Sequence, residues 1–322
     1  MHTVANTINW GALDTFVSGA KAAGAVKGTY CLYGCPTFLA STGAGVAGPY
    51  GGLGEIAYPN DLTQLTYFCQ QFIVRNNSTW ARFFDQISLF NEPGSVFTSC
   101  TPTQWVDMLW TAYAAIKTAA PAMVVLSPGT FDLGSANSGL FWGLGGWLNV
   151  AGSVHPTKTG KECFDRIAAH PYTAVPAGRA FSGRGSISSA QGGGILPFRQ
   201  ALAGTSLVNA VYDVTEYGYQ STTNSDLTLF LAATPAYREA FVQCLWIDAM
   251  LAGVQSMCAW SLDNVSNLMG NLRTDDPGAV SGLRKIYNAC AGKTIIAPSG
   301  ITATGGRFLT FSDNSTYTVA AP

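Results

Sequence analysis

The stretch Ile87-Ser88-Leu89-Phe90-Asn91-Glu92-Pro93 puts a carboxylate at the end of an apolar, β-forming run. A second stretch repeats the arrangement, with Val211-Tyr212-Asp213-Val214-Thr215 leading into Glu216-Tyr217-Gly218-Tyr219. A charged group directly after a buried strand is costly to place without a purpose. A cap or a salt bridge accounts for one such residue. The chain holds only five Glu (55, 92, 162, 216 and 239), and two of them stand at equivalent places in a repeating pattern.

Outward from these stretches, short β-rich runs recur at residues 26–33, 123–126, 166–170 and 256–261. Together with 87–90 and 210–215 they make six expected strands. Helical patterns separate them. Residues 62–74 follow Asp61, a good N-cap, residues 105–119 end before Pro121, and residues 237–251 follow Thr234-Pro235. A further helix opens the chain, with Trp10, Leu13, Phe16, Val17, Ala20 and Ala23 on its apolar face and Gly24 as its stop. Alternating strand and helix is the pattern of a parallel α/β fold.

An open doubly wound sheet and a closed (β/α)8 TIM barrel compete for this pattern. The open sheet binds its ligand at a switch point, often through a glycine-rich phosphate loop. Here Gly43-Ala-Gly45-Val-Ala-Gly48 runs into Pro49 rather than a helix, and Gly292-Lys293-Thr294 has Tyr287 where a phosphate loop needs glycine. A nucleophile elbow is absent too. A barrel places its chemistry at the carboxyl ends of its strands, where the notable polar residues of this chain stand.

Composition narrows the function. Charged residues are 11% of the 322, against about 25% in an ordinary domain. Seventeen Lys and Arg against eighteen Asp and Glu leave a net charge of −1, so no basic excess exists to neutralise nucleic-acid phosphates. The strongest apolar window, residues 241–254, carries Asp248 and is too short to span a membrane. The eight Cys have no metal-ligand spacing and only three His accompany them, so no metal or organic cofactor is expected. Most of the Cys are read as buried thiols. Cys35 and Cys100 both fall in loops after strands and could meet on one face, which leaves a disulfide between them open. The amino end lacks the basic and apolar regions of a signal peptide.

Glycoside hydrolysis uses two carboxyl groups across the scissile bond, about 5–5.5 Å apart in retaining enzymes. Glu92 and Glu216 are 124 residues apart, three repeats of about 41, which sets them three strands apart around a barrel mouth. Four motifs then resemble clan A retaining glycoside hydrolases of the family 39-like or family 5-like kind. Asn91-Glu92-Pro93 resembles the acid/base motif after strand four, and Thr215-Glu216-Tyr217-Gly218 the nucleophile motif at strand seven. His170-Pro171-Tyr172 resembles the motif at strand six, and Trp260 in Cys258-Ala259-Trp260-Ser261 the aromatic position at strand eight.

The resemblance implies Glu92 as general acid/base and Glu216 as nucleophile. Asn91, His170, Tyr172, Tyr219 and Trp260 would contact the sugar or hold the nucleophile, and the partner would be an oligosaccharide or polysaccharide. It also makes the first visible strand, near Tyr30-Cys31-Leu32-Tyr33-Gly34-Cys35, the counterpart of strand three. The chain is therefore expected to be a (β/α)8 barrel lacking its first two strands over residues 1–290. Residues 291–322 would form a small β extension, unless that tail completes the barrel. A carbohydrate-binding barrel without turnover, or a virion or cell-surface scaffold, is the alternative to the enzyme. An extracellular, periplasmic or virion-associated setting is compatible with the low charge, and the oligomeric state is left open.

Overall fold

A computed structural model describes residues 2–41, 48, 52–91, 100–129, 147–170, 173–174, 210–217, 219–220, 234–251, 253–259, 277–304 and 306–320. The chain divides into two compact units, Met1–Thr130 with Ser135–Ala168, and Phe131–Gly134 with Ala169–Pro322. Each is built by its own logic.

The first unit opens with a hairpin the sequence did not announce, β1 (His2–Val4) and β2 (Thr7–Ile8), turned at Asn6 with φ 56°. Helix α1 (Gly11–Ala22) stands where its periodicity predicts and stops at Gly24, whose φ of 92° suits glycine. Asp14 of α1 takes a forked bond from Arg75 and a 2.8 Å bond from the Trp80 indole N–H. These contacts, Arg75 foremost, hold its carboxyl below the usual range. Strands β3 (Gly28–Leu32), β4 (Phe84–Leu89) and β5 (Val124–Leu126) form a parallel sheet in sequence order, with Tyr30 opposite Ile87 and Ile87 opposite Val125.

Helix α2 (Leu62–Ser78) joins β3 to β4, and α3 (Pro102–Ala119) joins β4 to β5. Asp61 caps α2 by accepting the Thr63 N–H at 2.9 Å. Thr101 and Gln104 form a reciprocal capping box on α3, with Pro102 in its first turn. Leu89, Val125 and Leu126 are fully buried beneath these helices, as are Val106, Leu109 and Ala112 of α3. An aromatic cluster fills the space at α2. Phe72 meets Tyr30 at 4.4 Å, Trp80 at 5.4 Å and Phe84 at 5.5 Å between ring centroids. A parallel bridge from Leu126 to Arg166 hands β5 on to β6 (Ile167–Ala169).

In the second unit, β7 (Thr173–Ala174) pairs in parallel with β9 (Tyr219–Gln220), and β8 (Tyr212–Tyr217) pairs in parallel with β10 (Val254–Ala259). Helices α4 (Pro235–Leu251) and α5 (Pro277–Cys290) pack closely. A Cβ at Gly282 would lie 2.7 Å from the Glu239 carbonyl oxygen, so glycine is what lets the two backbones approach. The tail folds as an antiparallel sheet of β11 (Ile295–Ile301), β12 (Arg307–Phe311) and β13 (Thr316–Val319). Strand β11 has a register break between Ile296 and Gly300 around Pro298, which has no N–H to give. Arg307 and Asp248, both fully buried, pin this sheet to α4 through bonds of 3.0 and 2.9 Å.

Six parallel strands thus occur at the six expected places. The described residues hold no closed barrel: their sheets are open, and β3, the expected counterpart of strand three, has β4 as its only described strand partner. Among the described residues the tail strands pair with one another and with no parallel strand.

Candidate active site

The chemistry-bearing residues of the first unit gather where β4, β5 and β6 end. Phe90 takes a left-handed turn with φ 59°, an uncommon conformation for an aromatic residue, and gives its N–H to the Leu32 carbonyl at 2.7 Å. Its ring lies 5.3 Å from that of Trp105, so packing holds the turn in place. The turn delivers Asn91, which is buried and bridges in parallel to Gly129. Two buried serines tie these strand ends from inside. Ser88 donates its hydroxyl to the Ser127 carbonyl at 3.3 Å, and Ser127 Oγ accepts the Ala168 N–H at 2.9 Å. Neither serine was singled out from the sequence, although a hydroxyl inside each apolar run, Ile87-Ser88-Leu89 and Leu126-Ser127-Pro128, was a legible sign.

In the second unit, His170 follows β6 and is 2% exposed. Its ring Nε2 lies 3.0 Å from Thr215 Oγ1. Thr215 directly precedes Glu216 in β8, so the structure brings His170 and the strand that carries the Thr-Glu pair together through this bond. Beside it, Asp213 accepts the Ser256 hydroxyl at 2.6 Å, linking β8 to β10. The β8–β10 ladder is irregular here. Val214 faces Met257 and Tyr217 faces Ala259, so β8 advances three residues while β10 advances two. A bulge of this kind re-aims side chains and recurs next to active sites. It falls on Thr215, Glu216 and Tyr217.

Glu92, Tyr172 and Trp260 lie outside the described residues, as does the Gly43–Gly48 run apart from Gly48. Glu216 and Tyr219 are described as strand positions in β8 and β9. Among the described residues no group of three or more His, Cys, Asp or Glu is placed to hold a metal ion. No helix among them is long and apolar enough to cross a membrane.

A cavity of about 260 Å³ opens in the first unit between the carboxyl ends of β3 and β4 and the helices α2 and α3. Leu65, Phe68, Phe90, Trp105 and Met108 give it an apolar wall, and Cys35 and Cys100 both line it. Asn91 is not among its lining residues, whereas the adjacent Phe90 is. The two cysteines are present as thiols, Cys35 donating to the Pro36 carbonyl at 3.6 Å and Cys100 to Met108 Sδ at 3.9 Å.

No family model matches this chain, and no curated protein matches it in sequence. Solved structures do match in fold. A glucosidase from Croceicoccus marinus aligns with a TM-score of 0.60 at 14% identity, over 97% of this chain and 67% of its own. A family 39 glycoside hydrolase, a β-xylosidase from Caulobacter crescentus, aligns at 0.58 and 14% identity, over 96% of this chain and 61% of its own. The catalytic domain of family 30 xylanase C from Talaromyces cellulolyticus aligns at 0.53 and 15% identity, over 97% of this chain and 67% of its own. In fold, the chain resembles the clan A glycoside hydrolases. It spans between 61% and 67% of the length of these structures.

Proposed function

We propose that the chain is a retaining glycosidase with Glu92 as acid/base and Glu216 as nucleophile. The observation that carries this reading is the shared fold, in which Asn91 follows β4 and Thr215-Glu216 lies at the bulged end of β8. In the first step Glu216 attacks the anomeric carbon while the Glu92 carboxyl protonates the departing glycosidic oxygen. In the second, Glu92 as carboxylate takes a proton from water, which displaces Glu216 and releases the sugar. His170, through its bond to Thr215, holds the backbone that carries the nucleophile. Asn91 contacts the hydroxyl beside the anomeric carbon, and Tyr172, Tyr219 and Trp260 contact the sugar. The neighbouring structures are a glucosidase, a β-xylosidase and a xylanase, so β-linked glucosides and xylosides are the first substrates to offer.

The test is turnover of aryl β-xylosides and β-glucosides by the parent protein and by Glu216→Gln. Hydrolysis by the parent and its loss in the variant support the proposal. A 2-deoxy-2-fluoro glycoside should leave a covalent sugar on Glu216, recovered in the peptide that contains it. Sugar binding without turnover in both proteins would favour the non-catalytic alternative, and a label on another residue would reassign the nucleophile.

A further inference from the structure

The side chains of seven of the eight cysteines are described, and of these only Cys35 and Cys100 line the cavity of the first unit. Both are buried, at 9% and 8% exposure. Their backbones are fixed by unrelated elements. Cys35 follows β3 and the left-handed Gly34, with its N–H bonded to the Glu55 carbonyl at 3.0 Å. Cys100 stands immediately before Thr101, the N-cap of α3. Both residues line the one cavity between the helices and the strand ends, so their side chains border a shared space. Burial pushes the Cys35 thiol up to about 12, and the neighbouring Cys100 adds to the rise.

We propose that Cys35 and Cys100 are a disulfide-forming pair that fastens the loop after β3 to the amino end of α3. The oxidant is a low-molecular-weight disulfide such as oxidised glutathione. One cysteine, as thiolate, attacks a glutathione sulfur and expels one glutathione thiolate. The second attacks the mixed disulfide at the protein sulfur and expels the other glutathione. Two protein thiols are oxidised, one glutathione disulfide is reduced to two glutathiones, and the thiol protons pass to the departing thiolates. The raised Cys35 thiol makes this exchange slow in the closed fold, so the bond forms during folding or local opening and is shielded afterwards. The tie would fix the far end of the segment from Asn91 to Cys100, which carries Glu92. It does not depend on the glycosidase reading.

The experiment refolds the reduced full chain from urea in a glutathione redox buffer, blocks remaining thiols with iodoacetamide, and maps the peptides by mass spectrometry. The expected product is a Cys35 peptide joined to a Cys100 peptide, lighter by two hydrogens. Its urea midpoint should exceed that of the reduced protein, because the bond closes a long loop in the unfolded chain. Dithiothreitol should abolish the difference, and Cys35→Ala and Cys100→Ala proteins should show none. Recovery of both residues alkylated, capped by glutathione, or joined to other cysteines overturns the proposal. The readout on the parent protein stands even if a variant folds poorly.

Discussion

Replacing Asp248 by alanine tests how the tail is held. Arg307 Nε and Nη2 reach the two Asp248 oxygens at 3.0 and 2.9 Å, and neither side chain has exposed surface. Removing the carboxylate takes the ion-pair partner from a buried guanidinium between α4 and β12. Breaking a buried pair from one side costs about 3–5 kcal/mol, because the remaining charge keeps its desolvation penalty and loses its compensation. For a unit of this size each kcal/mol moves the melting temperature by about 2–4 °C, so Asp248→Ala should lower it by roughly 6–20 °C. Replacing both partners, as Asp248→Leu with Arg307→Met, removes the charge problem and should return stability to within about 1–2 kcal/mol of the parent. Circular-dichroism melts and urea titrations of the three proteins measure this. An Asp248→Ala protein within about 0.5 kcal/mol of the parent, the range of an ordinary surface change, would refute the reasoning. A double variant as damaged as the single one would assign the effect to packing instead.

Acid should weaken the fold over a defined window. Arg75 holds Asp14 down, Thr63 holds Asp61, the Thr159 N–H holds Glu162, Lys285 holds Glu239, and Ser315 lowers Asp313 to about 2. A carboxyl lowered in the folded state stabilises above its unfolded value and loses that contribution as pH falls through the folded one. The urea midpoint should therefore hold at neutral pH and decline from the ordinary values of 3.8 and 4.5 toward 2, modestly because these groups are exposed. A midpoint that rises across this window would contradict it. Gly152→Ala should destabilise by about 1–3 kcal/mol in urea titration, because its Cβ would collide with Asp107 Oδ1. That oxygen accepts the N–H groups of Val154 and His155 at 2.9 and 3.1 Å. Under the proposed mechanism, Thr215→Val keeps the side-chain shape and removes the hydroxyl bonded to His170. It should lower kcat on the order of 10–100-fold with little change in KM; an unchanged kcat would remove that bond from the machinery.

The strands and most helices were legible because each rests on local chemistry. The Asp61 cap, the Thr101-Pro102 start of α3 and the Gly24 stop all act within a few residues of where they stand. Helix α5 was not among the helices read from the sequence, and it carries Gly278 and Gly282, which weaken a helical pattern. Their purpose is the close approach to α4, which only the folded chain displays. Asp248 showed in the sequence as a charge interrupting an apolar window, but its partner Arg307 lies 59 residues away. The same distance effect governs the site. His170 and Glu216 could each be picked from a motif, whereas the bond from His170 to Thr215 spans 45 residues. The left-handed turn at Phe90 carries no residue signature, because phenylalanine is among the last residues expected to adopt it.

The extra residue that β8 carries between Val214 and Tyr217 makes this part of the chain sensitive to residue count as well as residue type. The pairings Tyr212 with Val254 and Tyr217 with Ala259 bracket equal lengths of the two strands, so deleting one position there would leave β8 one residue short against β10 and exchange the faces of every side chain on one side of the cut. Either Thr215 would turn away from His170 or the residues beyond it would reverse. In a library of single-residue deletions, loops remote from the ladder should accept losses that residues 215–217 refuse, even where substitutions at the same three positions are tolerated. Length variation at this point would then trace the site independently of any amino-acid identity.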